Sequence, residues 1–400
     1  MLLTTLCTGE QVHRFKKSIV VFLEGPRKVI STAPHNGGYR ENLTAVFNND
    51  GTVGAGMAAT LMAPTYQEHV ALLASQLGLD PATTAGITTA AQMENVSVVS
   101  ASHNDLTVTA IVTGGVEVNG GRAGDAATWD ELKDEPIDRA AHGTINIMLH
   151  INADLTEGAL IRSLVTCTEA KSVALQELVA PSRYSSGLAT GSGTDGTIII
   201  SCADSEMHLT NAGKHCKLGE LIGVTVKRAV TEALGLQSGL TAARQHHVIQ
   251  RLDRFGITED YLYQCYAGAG SSLYSRAHFA DRAAVLLSQN EPVVAMSLIA
   301  HLLDQMNWGL ISETEAIQAT DLLLDSLGMS PVPKEGSDAL HRILRAVTDG
   351  LVGLLGSDRD AVSAPPAPPT DDAAPTDDAV PTDDAVLTDD APPADNEDQP

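Results

Sequence analysis

The stretch from Thr168 to Val224 carries the most information about the fold, and it reads TEAKSVALQELVAPSRYSSGLATGSGTDGTIIISCADSEMHLTNAGKHCKLGELIGV. It opens with an amphipathic helical segment and continues through a polar, glycine-rich loop. The apolar run at 197–201 then predicts a strand, and a second helix follows. Loops so rich in Arg, Ser, Thr, Asn, Asp and Lys carry chemistry more often than scaffolding. We therefore predict a helix–loop–strand–helix unit with a functional loop at its centre.

Residues 1–240 continue this alternation of strands, Gly/Asn loops and helices. We predict strands at 18–23, 27–32, 43–48, 95–101, 106–113, 144–151 and 197–201, and helices at 66–78, 156–180 and 213–235. Neighbouring runs joined by a short His-Asn-Asp turn favour hairpins. The fold class predicted is an α+β layered sandwich with a largely antiparallel sheet, followed by an all-helical region and a disordered acidic tail.

Composition divides the 400 residues into three regions. After 1–240, residues 241–357 show helical periodicity with almost no strand signal, which predicts a helical accessory domain. Residues 358–400 contain the repeats TDDAAP, TDDAVP, TDDAVL and TDDAPP. Pro and paired Asp without aromatic residues cannot bury enough apolar surface to order the backbone, so a disordered acidic Pro/Asp tail is predicted. This tail either keeps the chain in solution or docks to a partner.

Charge and cysteine usage limit the partners. The formal net charge is −25 at pH 7, which argues against nucleic acid and against anionic membranes. The five cysteines are odd in number and include no Cys-x-x-Cys pair, which indicates reduced thiols. The chain has no run of 18 apolar residues and begins without a basic signal-peptide segment. We expect a cytoplasmic protein, and the sequence leaves its oligomeric state open.

The sequence supports neither a dinucleotide-binding motif nor a metal-binding motif. The run Gly191-Ser-Gly-Thr-Asp-Gly196 matches Gly-x-Gly-x-x-Gly, but a dinucleotide site needs the strand before the loop and the helix after it. Here the strand follows the loop. No His-Glu-x-x-His motif occurs, and the thirteen histidines are scattered without ligand-like spacing. We therefore expect no metal site and no bound cofactor.

The helix predicted at 156–180 carries a lysine in its apolar face. At 100° per residue the apolar side chains fill one continuous arc, with Lys171 near its middle and Thr168 well inside it. A lysine there costs free energy unless it is paired or its ammonium reaches water. Either Lys171 snorkels to solvent, or it points with Thr168 into a polar cavity and meets a carboxylate. Asp195, in the following loop, is the candidate partner.

The remaining candidates lie at strand ends, in loops or at a predicted helix start. His35 is the best general acid/base candidate, because imidazole titrates near neutral pH. Glu94 and Asp125 either orient it or only stabilise their loops. A helix start at Thr210 or Asn211 would place two cations in its first turn, against the helix dipole. The catalytic candidates are His35, Glu94, Ser192, Thr194 and Asp195. The substrate-binding candidates are Asn36, Arg40, Asn95, Asn119, Arg122, Asp125, Thr168, Lys171, Arg183, Ser185, Ser186, Asn211, Lys214 and His215.

Together with TAPHNGGYRENL, QMENVSV and TGGVEVNGGRAGD, the 168–224 stretch resembles the adenosylcobinamide amidohydrolase family over about residues 10–235. The resemblance makes residues 1–240 an amidohydrolase domain. It implies hydrolysis of the amide between the aminopropanol arm and the corrin ring, giving adenosylcobyric acid and 1-aminopropan-2-ol in cobalamin salvage. Cobalt then belongs to the corrinoid substrate, and no protein cofactor is expected.

Two mechanisms remain open at this point. In one, His35 activates water while backbone N–H groups of a glycine loop hold the oxyanion. In the other, the hydroxyl of Ser192 or Thr194 attacks, and the resulting ester is hydrolysed. A non-catalytic corrinoid-binding or carrier module is the alternative function, because polar loops can also grip amide side chains without cleaving them.

Overall fold

Two β-sheets packed face to face form the centre of the first 240 residues. The computed structural model describes residues 1–52, 61–130, 132–133, 135–136, 143–269 and 274–357. Met1–Val362 form one compact unit. The predicted acidic tail lies outside the described residues, and the division of this unit at residue 240 stays a prediction.

The sheets combine antiparallel ladders with one parallel pair each. The strands are β1 (Leu2–Thr5), β2 (Gln11–Phe15), β3 (Ser18–Phe22), β4 (Arg27–Ser31), β5 (Gly38–Arg40), β6 (Ala45–Asp50), β7 (Thr84–Thr89), β8 (Ser97–His103), β9 (Leu106–Gly115), β10 (Gly120–Gly121), β11 (Trp129–Asp130), β12 (Glu135–Pro136), β13 (Thr144–Ile151), β14 (Asp154–Leu155), β15 (Gly191–Ser192), β16 (Gly196–Cys202) and β17 (His208–Leu209). The first sheet has the order β1-β2-β3-β6-β7, with β6 and β7 parallel. The second has the order β5-β4-β16-β13-β9-β8, with β13 and β16 parallel. The predicted, largely antiparallel layered sandwich is confirmed.

Helices α1 (Tyr66–Leu77), α2 (Glu157–Glu177) and α3 (Lys217–Ser238) cover the outer faces of the two sheets. The helices that follow are α4 (Ala242–Gln245), α5 (Val248–Leu252), α6 (Glu259–Gly268), α7 (Arg276–Leu286), α8 (Asn290–Asn307), α9 (Glu313–Ser326) and α10 (Ala339–Gly356). The apolar side chains of α1 pack on Val20 and Phe47 of the first sheet. Those of α2 and α3 pack on the second sheet. The order of layers is therefore helix, sheet, sheet, helices.

Strand β13 shows how the sequence builds these layers. Side chains alternate across a strand, and Ile145, Ile147 and Leu149 enter the core shared with α2 and α3. Met148 enters the core between the two sheets. Alternation sends Asn146 and His150 to that same inner side, although both are polar and fully buried. Each therefore needs polar partners between the sheets.

The predicted elements of the first 240 residues are present, with several boundaries shifted by up to four residues. All seven predicted strands and all three helices form, and β8 and β9 pair as the expected hairpin. The third helix, however, begins at Lys217, with Cys216 as its N-cap residue. The prediction of a start at Thr210 or Asn211 is wrong, because Asn211 Oδ1 instead accepts the Gly213 N–H within a loop. The strands that were not predicted are β1, β2, β5 and β7 and the two-residue strands β10, β11, β12, β14, β15 and β17.

The described residues of the 241–357 region are mainly helical, as predicted, and α5 to α10 build an apolar core of their own. Its large buried side chains include Tyr266, Phe279 and Leu303. Among the described residues no single helix is long and apolar enough to cross a membrane. Only α7 and α8 taken together, bent by 84°, pass such a test by length and composition.

Candidate active site

A buried ion pair joins α2 to the glycine loop before β16. Lys171 Nζ contacts Asp195 Oδ2, and each side chain keeps only 11% of its surface exposed. The carboxylate also accepts hydrogen bonds from the Ile145 N–H (2.8 Å), the Ser192 N–H (2.9 Å) and the Ser192 hydroxyl (2.6 Å). The predicted pairing of Lys171 with Asp195 is confirmed. Lys171 therefore does not snorkel to solvent.

The glycines of this loop are required by its packing. A Cβ at Gly191 would lie 2.8 Å from Lys171 Nζ and closer still to the Asp195 carboxylate. A Cβ at Gly196 would lie 2.7 Å from Asn146 Oδ1. Real Cβ atoms do not approach polar atoms this closely, so both positions need glycine. These two glycines serve the close approach of the loop to α2 and β13, not a dinucleotide.

The loop continues into an edge of the second sheet that is lined with polar side chains, which we call the polar strand edge. Because β13 and β16 are parallel, their N-terminal ends meet at one edge of the sheet. There the Thr194 hydroxyl donates to the Gly143 carbonyl (2.9 Å) and lies 2.8 Å from the Thr144 hydroxyl. Asn119 Nδ2 donates to the same carbonyl (2.8 Å). The predicted residues Asn119, Ser192, Thr194 and Asp195 therefore share one edge, where Thr144 joins them.

A buried amide chain behind this edge ties the two sheets together. Asn146 Oδ1 accepts the Gly196 N–H (3.0 Å), and its Nδ2 donates to Asn48 Oδ1 (2.7 Å) and the Thr88 carbonyl (3.0 Å). Asn48 in turn donates to the Thr113 hydroxyl (2.8 Å). These hydrogen bonds satisfy the inward-facing amides. They fix the position of β16, and with it the carboxylate that precedes it.

The loop that contains Arg122 forms a second wall beside the ion pair. Asp125 Oδ2 accepts the Arg122 N–H (2.7 Å) and the Ser182 hydroxyl (2.6 Å). Burial alone would raise the pKa of the Asp125 carboxyl, but hydrogen bonds from Ser182 and Ser185 hold it below its usual value. The Ala123 N–H donates to the Thr190 hydroxyl (3.0 Å), which connects this wall to the glycine loop. Asp125 therefore organises its loop as an anion.

A cavity of about 270 Å³ lies between this wall and the helical region. Its lining residues are Arg122, Ala123, Gly124, Asp125, Ser185, Ser186, Gly187, Asp304, Asn307 and Trp308. Arg254 holds the two sides together, because its guanidinium bonds both Asp304 carboxylate oxygens and the Ser186 carbonyl. Nearby, Arg183 pairs with Asp253 (2.7 Å). The helical region thus borders the predicted binding residues.

His35 and Asn36 form a separate group. His35 Nε2 lies 2.8 Å from the Pro81 carbonyl, so it carries the ring hydrogen, and Nδ1 is the basic nitrogen of the neutral ring. Asn36 Nδ2 donates to the Pro81 and Thr84 carbonyls. Within the part of the chain that the structure describes, no hydrogen bond or ion pair joins His35 to Asp195.

Several other candidates also lie apart from the ion pair. Glu94 is exposed, with its carboxylate 3.9 Å from Arg14, and Asn95 donates to Gln237 (3.0 Å). Arg40 ends the exposed strand β5. Lys214 pairs with Glu169 (3.1 Å) and, like His215, precedes α3 rather than lying in its first turn.

The placement of Thr168 inside the buried arc is wrong. Its side chain is exposed, and its hydroxyl donates to the Leu164 carbonyl of its own helix (3.0 Å). Ser172, one position beyond Lys171, faces the glycine loop instead and donates to the Thr190 carbonyl (3.1 Å). The interface between α2 and this loop thus uses Lys171 and Ser172.

Comparison with known proteins finds a matching family and two relatives. A family model described as adenosylcobinamide amidohydrolase matches residues 3–242. An adenosylcobinamide amidohydrolase of Methanosarcina mazei is 28% identical over 229 residues, which cover 55% of this chain and 96% of the relative. An uncharacterized protein of Methanocaldococcus jannaschii is 33% identical over 179 residues, covering 42% of this chain and 69% of the relative.

The fold, the polar strand edge and these matches place residues 3–242 among the amidohydrolases. The chain belongs to the adenosylcobinamide amidohydrolase family. The match ends at residue 242, close to the boundary predicted at 240 from composition.

Proposed function

We propose that the chain cleaves the amide between the aminopropanol arm and the corrin ring of adenosylcobinamide. The products are adenosylcobyric acid and 1-aminopropan-2-ol, which would return salvaged corrinoid to cobalamin synthesis. The observation that carries the proposal is the buried Lys171–Asp195 pair with the Ser192 hydroxyl on the same carboxylate, inside the region that the family model matches. The chemistry as proposed uses protein groups and water, and cobalt belongs to the substrate.

The geometry at Asp195 favours a hydroxyl nucleophile. The Ser192 hydroxyl already donates to Asp195 Oδ1 (2.6 Å), so the carboxylate can take its proton as the oxygen attacks the amide carbon. Lys171 balances the negative charge of the carboxylate before attack. The aminopropanol nitrogen then leaves with that proton, and water hydrolyses the ester to free Ser192. Glycine-loop N–H groups are the proposed oxyanion donors.

Water activated by His35 remains the second proposed mechanism, and it would act through Nδ1. Replacing His35 by Gln keeps a donor for the Pro81 carbonyl but removes the second ring nitrogen, Nδ1, so we expect a loss in kcat of about 100-fold or more if His35 is the base. The measurement is a pH–rate profile. The exposed His103, replaced by Gln, is the matched control. Unchanged rates and an unchanged profile in His35→Gln would remove His35 from the mechanism.

The proposed function is tested by incubating the full chain with adenosylcobinamide and identifying the corrinoid by mass spectrometry. We expect adenosylcobyric acid and free aminopropanol in equal amounts. Tight binding of the corrinoid without release of aminopropanol would instead select the carrier module. A parallel incubation of Asp195→Asn shows whether any release depends on this carboxylate.

The first 240 residues are predicted to fold and hydrolyse alone. All partners of Asp195 described above precede residue 240, and the contact of Arg183 with Asp253 is a partly exposed pair worth about 1 kcal/mol or less. A chain ending after Leu240 should therefore unfold in one cooperative transition and keep the kcat of the full chain. If it is folded but inactive, the cavity wall at Asn307 and Trp308 is part of the active site.

A further inference from the structure

A second polar cluster lies at the opposite end of the parallel strand pair. His150 is near the C-terminal end of β13, Cys202 ends β16, and Glu10 ends the loop between β1 and β2. All three are at most 1% exposed. His150 Nε2 lies 3.4 Å from Cys202 Sγ and 3.5 Å from Glu10 Oε1. An imidazole, a thiol and a carboxylate thus converge in the interior.

Hydrogen bonding alone does not account for this convergence. His150 Nε2 also lies 3.0 Å from the Thr8 hydroxyl, so three polar groups approach a single ring nitrogen. A neutral imidazole nitrogen either donates or accepts one hydrogen bond. The other nitrogen, His150 Nδ1, is buried and has no partner among the described residues. The ring is therefore directed at a point between the three groups rather than at one of them.

The two distances from His150 Nε2 fit the coordination shell of a small metal ion. The three ligand atoms lie within 4.8 Å of one another. Zinc bonds of about 2.0–2.3 Å in a tetrahedron separate neighbouring ligand atoms by roughly 3.3–3.6 Å, which brackets the two distances measured from Nε2. The Thr8 hydroxyl contacts both His150 and Glu10. Histidine, cysteine and carboxylate are the usual zinc ligands.

We propose that Glu10, His150 and Cys202 bind a divalent transition-metal ion, with zinc as the natural occupant. Binding replaces the thiol proton of Cys202, which leaves to solvent, so a thiolate and a carboxylate neutralise the dication. Arg27 also bonds Glu10 (2.6 Å), but its other nitrogen pairs with Asp204 (2.8 Å). The Arg27 charge is thus balanced from outside the cluster, and Arg27 orients the carboxylate.

The ion would be structural and independent of the hydrolysis. From Thr144, at the proposed active site, to His150 the strand advances six residues, which is about 20 Å. The ligands come from the β1–β2 loop and from two strands of the second sheet, so one ion would tie the first sheet to the second. Thr8, whose hydroxyl contacts His150 and Glu10, is half-buried, and the neighbouring Gly9 is exposed.

Cobalt(II) binding to the full chain, after dialysis against a chelator, tests the proposal directly. We expect a thiolate-to-cobalt charge-transfer band that saturates at about one equivalent and is abolished by excess zinc. Cys202→Ala should lose the band, whereas Cys167→Ala should keep it. Cys167 is an equally buried thiol on α2, so both variants remove the same volume and only one removes a ligand.

The parent chain provides a readout that does not depend on the variants folding. Zinc at 100 times its Kd should raise the Tm by roughly 5 °C, since an ion that binds only the folded state stabilises it. If cobalt gives no charge-transfer band and zinc leaves the Tm unchanged, the cluster is a metal-free polar contact and the proposal is wrong. Because neither measurement uses the corrinoid, this result stands apart from that for the proposed function.

Discussion

Replacing Lys171 by Met should lower the free energy of unfolding by about 3–5 kcal/mol, the usual result of removing one partner from a buried ion pair. The reason is that the Asp195 carboxyl, which is only 11% exposed, would lose the ammonium that faces its Oδ2. Urea unfolding of the parent and the variant measures the difference. Lys217→Met is the matched control, because its pair with Glu220 is about half exposed and should contribute about 1 kcal/mol or less.

A double-mutant cycle separates the interaction between Lys171 and Asp195 from the other destabilising effects of each substitution. Asp195→Asn alone also breaks the pair, but adding Lys171→Met to it should cost little more, because the unpaired charge is then gone. We therefore expect a coupling free energy close to the single loss of about 3–5 kcal/mol, at or above the upper end of the range of about 0.5–3 kcal/mol found for residues in one network. Additive losses would mean that the two side chains act independently. A Lys171→Met chain as stable and active as the parent would show that the pair is dispensable.

This pair also shows how far the sequence predicts the site. Lys171 stands out because a cation interrupts an apolar helical arc, and Asp195 follows in the next polar loop. That pattern is local, so it can be recognised without a structure. Thr168 satisfied the same periodicity and was misplaced, since a threonine can satisfy its hydroxyl on the helix backbone and remain at the surface.

The residues that the sequence does not predict depend on contacts between distant strands. Asn146 and His150 lie inside the apolar run TINIMLHI, whose buried polar members give no sign of what faces them. Asn146 meets Asn48 from the other sheet, and His150 meets Glu10 from a loop 140 residues earlier. Strand β7 was missed for a related reason, because TAGITT is short and contains a glycine, and its pairing with β6 stabilises it. These contacts and this strand depend on partners that are distant in sequence, so the local sequence does not predict them.

Loss of the Ser192 hydroxyl should have the largest effect on catalysis. If its oxygen is the nucleophile, Ser192→Ala should lower kcat with adenosylcobinamide by about 1,000-fold or more, because no acyl-enzyme can form. Thr194→Val removes the neighbouring hydroxyl, which is engaged with the Gly143 carbonyl, and should cost far less. Rapid quenching of the parent chain, followed by intact-protein mass spectrometry, should show a covalent corrinoid adduct that Ser192→Ala lacks.

The same variant decides between the two mechanisms. A Ser192→Ala chain that keeps its rate within a few-fold, with no adduct in the parent, would leave water as the nucleophile. The pH–rate profile of His35→Gln would then decide whether imidazole activates that water. If Ser192→Ala is inactive while His35→Gln is not, the hydrogen bond from Ser192 to Asp195 is the proton path. Asp195 then acts as the general base, and Lys171 is the residue that pairs with its carboxylate and positions it.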